Sequence, residues 1–591
     1  MKKKINYLFI FAAVALLFGA TACKGGKEEE ETKGTTVSET DPVMSELTET
    51  AIGGTEISAT ATVAGLVKNL KTGQPIAGIN VTDGYSWVKT DANGVYQMTF
   101  NQRARKIYIT TPSEYKIGLD KYGYPNFYCK DNVSYGNKYR IDFTLEPLDA
   151  PETDFILLPI GDPQCSSTGE VARYATETIP KIKEDAIKSG RHVYAVTLGD
   201  IIFDSNITWY PMYVSMRNVV AGDWTIPFFQ CMGNHDHDAT LFSTSDDRLD
   251  MQWKSQTNFV KYFGPQDYSF DRGSVHVIVM DNVWVTGSSS SSKSNGKTCT
   301  YYSGLSAEQY QWLVQDIANV ENPSEKMVVL CSHIPWRGGG TNSGANVNKD
   351  KYYSNVLGLL TKFHEAHIMI GHTHYSQNYI HSEKTQGGTP VYEHVHGAAC
   401  GAWWACNSNV TGAPNGFGYY EISGNEVKNW QAMNSNFDDS FQLRVWNGDQ
   451  EFTGSKGYKL KWSNATNTVN GLTAKGFANA AGAFVAEVWN DDVSNWKVEF
   501  WQNGQKVGNF TRLANGSCAN IALASYWFNE KSKNSTSYTS TTASHYWYYK
   551  PTSGLPASET DWEVRFIRKI PTSGITHTYT RNTLTTDYSE F

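Results

Sequence analysis

Six short apolar runs punctuate residues 151–434: Phe155–Ile160, His192–Leu198, Ile226–Met232, Val275–Met280, Met327–Cys331 and Ile368–Ile370. Each is bounded and rich in β-branched or aromatic residues, and helical spacing intervenes, as in Trp312, Leu313 and Ile317 behind a capping box of Ser306 and Gln309. That alternation predicts an α/β layered core of sheets flanked by helices. Polar clusters follow five of the six runs directly, where open α/β sheets place their ligands. In chain order they are Gly161-Asp162-Pro163-Gln164, Gly199-Asp200, Gly233-Asn234-His235-Asp236, Ser332-His333 and Gly371-His372-Thr373-His374.

The flanks read differently. Residues 59–148 hold short β-runs separated by turns, including Gly73-Gln74-Pro75-Ile76-Ala77-Gly78, Thr90-Asp91 and Gly94-Val95-Tyr96. Residues 438–591 show period-two alternation at Trp496, Val498 and Phe500, then Asn503-Gly504, then Val507 and Phe510, a hairpin signal. The expected architecture is therefore a central α/β layered domain, 151–434, a β-sandwich flanked by helices, between two smaller all-β domains. The 59–148 segment resembles the small immunoglobulin-like sandwich found beside many secreted hydrolases. With 51 Lys and Arg against 59 Asp and Glu, the net charge of −8 offers no basic surface for a nucleic-acid backbone.

Residues 1–22 read as a targeting segment: Lys2–Lys4 are basic, Tyr7–Ala20 are almost wholly apolar, and Ala20, Thr21 and Ala22 precede Cys23. This resembles a bacterial lipoprotein signal, which implies cleavage before Cys23 and a lipid anchor on its thiol. The implied location is the bacterial cell envelope, as an outer-membrane lipoprotein facing the periplasm or the exterior. The run Glu28–Glu31 resembles signals for surface display. Residues 23–58 have no aromatic residue and are predicted to be a disordered tether. The eight cysteines after Cys23 show no metal-like spacing and are expected to be reduced core residues.

Oxygen and imidazole donors at five strand ends are enough for two divalent cations about 3.5–4 Å apart that share one carboxylate. The joint order Asp-x-Gln, Gly-Asp, Gly-Asn-His-Asp, a lone His and Gly-His-x-His resembles the calcineurin-like metallophosphoesterase superfamily. The resemblance implies one metal held by Asp162, Gln164, Asp200 and His374, and a second held by Asp200, Asn234, His333 and His372. Gln164 stands where most of the superfamily has histidine, and its hard amide oxygen either favours Mn²⁺, with Fe or Zn²⁺ as the other candidates, or leaves that coordination position to water. Phe203 stands where purple acid phosphatases have a tyrosine ligand, so a purple Fe(III) centre is not expected. The C-terminal segment resembles the β-rich domain that accompanies bacterial lipoprotein phosphoesterases of this type.

The implied reaction is hydrolysis of a phosphomonoester or phosphodiester by a bridging hydroxide, with no covalent intermediate. His235 is expected to protonate the leaving alkoxide as general acid, its ring oriented by Asp236. Arg337 is either a phosphate clamp or a solvated loop arginine, Asp204 a brace or a turn cap, and Trp403 and Trp404 either pocket wall or core. The substrate would be a small phosphate ester or a lipid or glycan head group. The competing reading is a decayed surface lipoprotein that binds glycan or lipid through its β domains.

Overall fold

All six apolar runs form strands in the computed structural model, which describes residues 38–204, 209–220, 222, 224–290, 297–337, 352–489, 496–514, 517–531, 545–552, 554–555 and 561–591. The signal-like segment, Cys23 and Glu28–Glu31 lie outside the described residues.

The central domain has thirteen strands: β1 (Asp154–Ile160), β2 (His192–Leu198), β3 (Phe228–Cys231), β4 (Tyr268–Arg272), β5 (Val275–Val279), β6 (Val283–Ser289), β7 (Thr298–Ser303), β8 (Met327–Cys331), β9 (Glu365–Ile370), β10 (Gln377–Lys384), β11 (Pro390–Val395), β12 (Gly416–Ser423) and β13 (Glu426–Asn434). One sheet runs β3-β2-β1-β12-β13 and the other β4-β5-β8-β9-β11-β10, while β6 and β7 form a separate hairpin. The neighbouring strands β1, β2 and β3, and likewise β5, β8, β9 and β11, are parallel.

These parallel strands are continuously apolar because both of their faces are covered. Along β1, Phe155 and Leu157 enter the core that includes β5, β8 and β9, whereas Ile156, Leu158 and Ile160 enter a second core with Ile179 and Ile182 of the helix Ile179–Ser189. Period-two alternation thus sorts one strand between two apolar layers. The expected capping box is present at the start of the helix Ala307–Asn319, and Trp312, Leu313 and Ile317 are buried.

In the N-terminal domain a four-stranded sheet orders Val43–Glu46, Tyr139–Leu145, Val63–Asn69 and Val95–Met98, and a three-stranded one orders Trp87–Lys89, Asn80–Thr82 and Tyr108–Ile109. Residues 43–58, expected as tether, are therefore not one. Val43–Glu46 pairs antiparallel with Asp142–Tyr139, Ala51–Ile52 pairs with Thr55–Glu56, and Leu47 and Ile52 pack on Ala64 and Val95. Backbone pairing at a sheet edge and two aliphatic side chains suffice where composition, averaged over the segment, suggested too little apolar surface.

Among its described residues the C-terminal domain contains two four-stranded sheets and smaller hairpins. The expected hairpin joins Trp496–Gln502 to Gln505–Asn509 through Asn503 (φ 50°) and Gly504 (φ 72°), the left-handed pair that a tight two-residue turn requires. Among the described residues no helix is long and apolar enough to cross a membrane. The eight cysteines after Cys23 are all buried and free.

Candidate metal centre

Parallel register brings the five polar clusters to one end of the two sheets. Ile160 stands opposite Thr197, Leu198 opposite Cys231, and Cys331 opposite Met369, so the turns that follow these strands lie side by side. The turns are tight. A Cβ on Gly233 would lie 2.1 Å from the Asp200 amide nitrogen, and one on Gly199 (φ 89°) 2.6 Å from Nδ1 of His333. Seven of the ten non-glycine residues with positive φ among those described sit here: Asp162, Gln164, Asp200, His372, His374, Trp403 and Trp404. Such conformations cost about 1–3 kcal/mol each, a concentration of strain that marks a site built for function.

The expected ligands fall into two groups around one carboxylate. Donor atoms of Asp200, His333 and His372 lie within 4.8 Å of one another, as do those of Asp162, Asp200 and His374. Nδ1 of His333 is 2.7 Å from the Leu198 carbonyl and donates to it, which turns Nε2 inward. That Nε2 lies 2.9 Å from Asn234 Oδ1, 3.2 Å from His372 Nδ1 and 3.3 Å from Asp200 Oδ2. On the other side Gln164 Nε2 is 3.3 Å from Asp200 Oδ2, and His374 Nε2 is 3.7 Å from Asp162 Oδ1. Backbone amides hold the carboxylates in place: His372 N donates to Asp162 at 3.0 Å and His235 N to Asp200 Oδ1 at 2.8 Å.

So many acceptors facing one another require cations, and the electrostatics register the need. Burial pushes the Asp162 carboxyl well above the usual carboxylate range. Burial would also raise Asp200, but the charges of His333 and His235 outweigh it and hold that carboxyl low. His333 is driven the other way. Burial lowers it, but Asp200 more than compensates and raises it to about 9. Burial also holds His374 down to about 4 and His372 well below the usual imidazole range, as neutral donors should be. The donor set of carboxylate, amide oxygen and neutral imidazole fits a pair of divalent cations sharing Asp200.

Two expectations about the surrounding residues are corrected. Asp236 does not orient His235: its carboxylate accepts from the amides of Gly233 at 2.9 Å, Ile201 at 3.1 Å and Ile202 at 3.3 Å, tying the Asp200 and Asn234 turns together. A carboxylate that follows its histidine by one residue on a 3₁₀ turn points away from the ring; Asp204 reaches it instead, with Oδ1 2.7 Å from Nδ1 of His235. Arg337 is turned aside as well. Its guanidinium donates to the Ile380 carbonyl at 3.1 Å and lies over Tyr379, because Glu393 captures its backbone amide. Among the described residues it makes no bond to the centre.

Three neighbours escaped the sequence reading. Asn282 accepts from the amides of His333 at 3.1 Å and Ile334 at 2.9 Å, and its position directly after the Val275–Met280 run is the same strand-end signal that marked the other clusters. Cys400 places its buried thiol 3.8 Å from both Gln164 Oε1 and His374 Nδ1, and an isolated cysteine carries no spacing to find it by. Tyr301, edge-on to His372 with ring centres 6.1 Å apart, comes from a hairpin outside the main sheets. Trp403 lies against His374 at 5.2 Å, while Trp404 is buried and donates to the Pro163 carbonyl at 2.8 Å.

Three consecutive segments match models of one family. Residues 157–376 match the calcineurin-like phosphoesterase model, residues 61–148 its N-terminal companion and residues 393–571 its C-terminal companion. The chain belongs to the calcineurin-like phosphoesterases. The matched central segment carries Asp162, Gln164, Asp200, Asn234, His235, His333, His372 and His374. Among solved structures, the chain is similar to a purple acid phosphatase from yellow lupin (Lupinus luteus) seeds, at 13% identity and a TM-score of 0.34, over 61% of this chain and 67% of that one. No curated protein matches the chain.

Proposed function

We propose that this calcineurin-like phosphoesterase hydrolyses phosphate esters with two divalent cations that share Asp200. The observation that carries the reading is the pair of ligand groups with that one carboxylate in common. Asp162, Gln164 and His374 would complete one position, and Asn234, His333 and His372 the other. Cations bound there would activate water and neutralise phosphoryl oxygens as charge builds. The chain supplies the rest. His235, braced by Asp204, carries a proton to the leaving oxygen. Asp236 and Asn282 fix the backbone of the two turns that carry Asp200 and His333.

The amide of Gln164 in a set otherwise rich in oxygen supports Mn²⁺ over Zn²⁺. Metal-free protein reconstituted with Mn²⁺, Fe²⁺ or Zn²⁺ and screened against nitrophenyl mono- and diesters tests both points. The hydrolase reading requires turnover that a chelator abolishes and Mn²⁺ restores best. No hydrolysis with any of the three ions would overturn it.

The targeting segment before Cys23 supports a location on the bacterial outer membrane, held by lipid on that thiol. The substrate would then be a phosphate ester met in the cell envelope.

A further inference from the structure

With Arg337 turned towards Ile380, the phosphoryl contact expected of it is open to another side chain. Tyr301 is in the right place. It lies on β7, which packs against the turn Asn234–Asp236; Cys299 on the same face donates to the His237 carbonyl at 3.4 Å, and the Tyr301 ring meets His372 edge-on. The carboxylates of Asp200, Asp204 and Asp162 are close enough to act on its hydroxyl. The next residue shows the contrast. The Tyr302 hydroxyl is held by Arg248 at 3.2 Å, whereas the half-buried Tyr301 hydroxyl is bonded to no side chain or backbone group among the described residues. A half-buried phenol whose O–H is left free by the protein beside the ligand groups can exchange water for a bound anion.

The number of acceptors then discriminates between substrates. A phosphomonoester carries three terminal oxygens and a diester two. Two oxygens facing the cation positions leave the monoester with a third, which in a partly desolvated cleft must find a donor or lose its hydration uncompensated. His235 is committed to the leaving oxygen. We propose that the Tyr301 hydroxyl donates to this third phosphoryl oxygen and makes the enzyme selective for phosphomonoesters. The proposal rests on the hydrolase reading above, and it names the ester class that reading leaves open.

The test is Tyr301→Phe, which removes one oxygen and keeps the ring. In the Mn²⁺-loaded protein, inorganic phosphate should bind about 10-fold more weakly by calorimetry, the usual worth of a hydrogen bond to a charged acceptor. The kcat/KM for nitrophenyl phosphate should fall about 10–100-fold, while that for bis(nitrophenyl) phosphate should change less than about 3-fold, with metal content unaltered. An unchanged phosphate affinity, an equal fall on both esters, or loss of metal from the variant would overturn the proposal. If the wild-type protein cleaves neither ester, the hydrolase reading fails, and the phosphate titration still decides whether Tyr301 holds the anion.

Discussion

Oδ1 of Asp204 stands 2.7 Å from Nδ1 of His235, with the Phe203 ring stacked on the imidazole at 4.5 Å between centres. The carboxylate therefore fixes the tautomer and leaves Nε2 to carry the transferable proton. Burial alone would lower the pKa of His235, but Asp200 and Asp204 outweigh it and raise it. A general acid works only while protonated, so activity should fall as pH rises through this value. Asp204→Asn removes one of the raising charges. The alkaline limb of its kcat/KM profile should move about 1 unit or more to lower pH. A profile that does not move would remove Asp204 from the proton path.

His235→Ala separates the acid from the ligands. Both metals should stay, and a substrate with a poor alkoxide leaving group should lose about 10²–10⁴-fold in kcat. A nitrophenyl ester should lose much less, because nitrophenolate departs without a proton. His372→Ala should penalise both substrates alike, since it damages metal binding that every substrate needs. Rate measurements on the two esters, with metal content, check this; equal losses in His235→Ala with metals retained would make His235 a phosphoryl contact.

The C-terminal domain reaches the centre through Arg444. Its buried guanidinium lies 3.6 Å from Glu487 and 3.2 Å from Glu590, and it bonds the Gly412 carbonyl. Residues 398–413 in turn carry Cys400, Trp403 and Trp404 to the metal ligands, with Ala402, Cys406 and Val410 packed in the C-terminal core. Arg444→Met would leave the buried Glu487 carboxylate with only His545 at 3.2 Å and Asn520 at 3.3 Å as partners and should cost roughly 3 kcal/mol in denaturant unfolding. Arg444→Met with Glu487→Leu should recover most of the loss. A single-variant cost below about 1 kcal/mol would show that the pair does not hold the domain.

Most of the centre was legible because parallel strands end in step: one run ending in Gly-Asp and another in Gly-Asn-His imply side-by-side turns, whatever the loops between them do. What stayed hidden depends on directions that spacing does not encode. Asp204 and Asp236 lie on either side of His235 in the chain, and only the 3₁₀ turn at Asn234–Asp236 decides which faces the ring. Arg337 looked like a clamp because it follows His333 closely, but Glu393, from β11, binds its amide and directs it elsewhere. Tyr301 arrives on a hairpin whose place is set by packing of Cys299, Val285 and Met251, contacts remote in sequence. The strand Val43–Glu46 was missed because an edge strand needs little apolar character.

The proposed envelope location makes its own prediction. In cells, Cys23→Ala should yield a protein released from the membrane fraction that hydrolyses phosphate esters as the wild type does. Membrane fractionation and mass spectrometry of the mature N-terminus check it. Wild-type protein recovered soluble and without lipid would contradict the anchored reading.

The shared carboxylate is the claim on which the rest depends. Metal-free wild-type protein titrated with Mn²⁺, with nitrophenolate release as the readout, should gain activity up to about two equivalents and then stop, and Asp200→Ala should bind neither ion firmly and lose at least ~10³-fold in turnover. A break at one equivalent, or an Asp200→Ala variant that keeps its metal content, would contradict a centre built around Asp200.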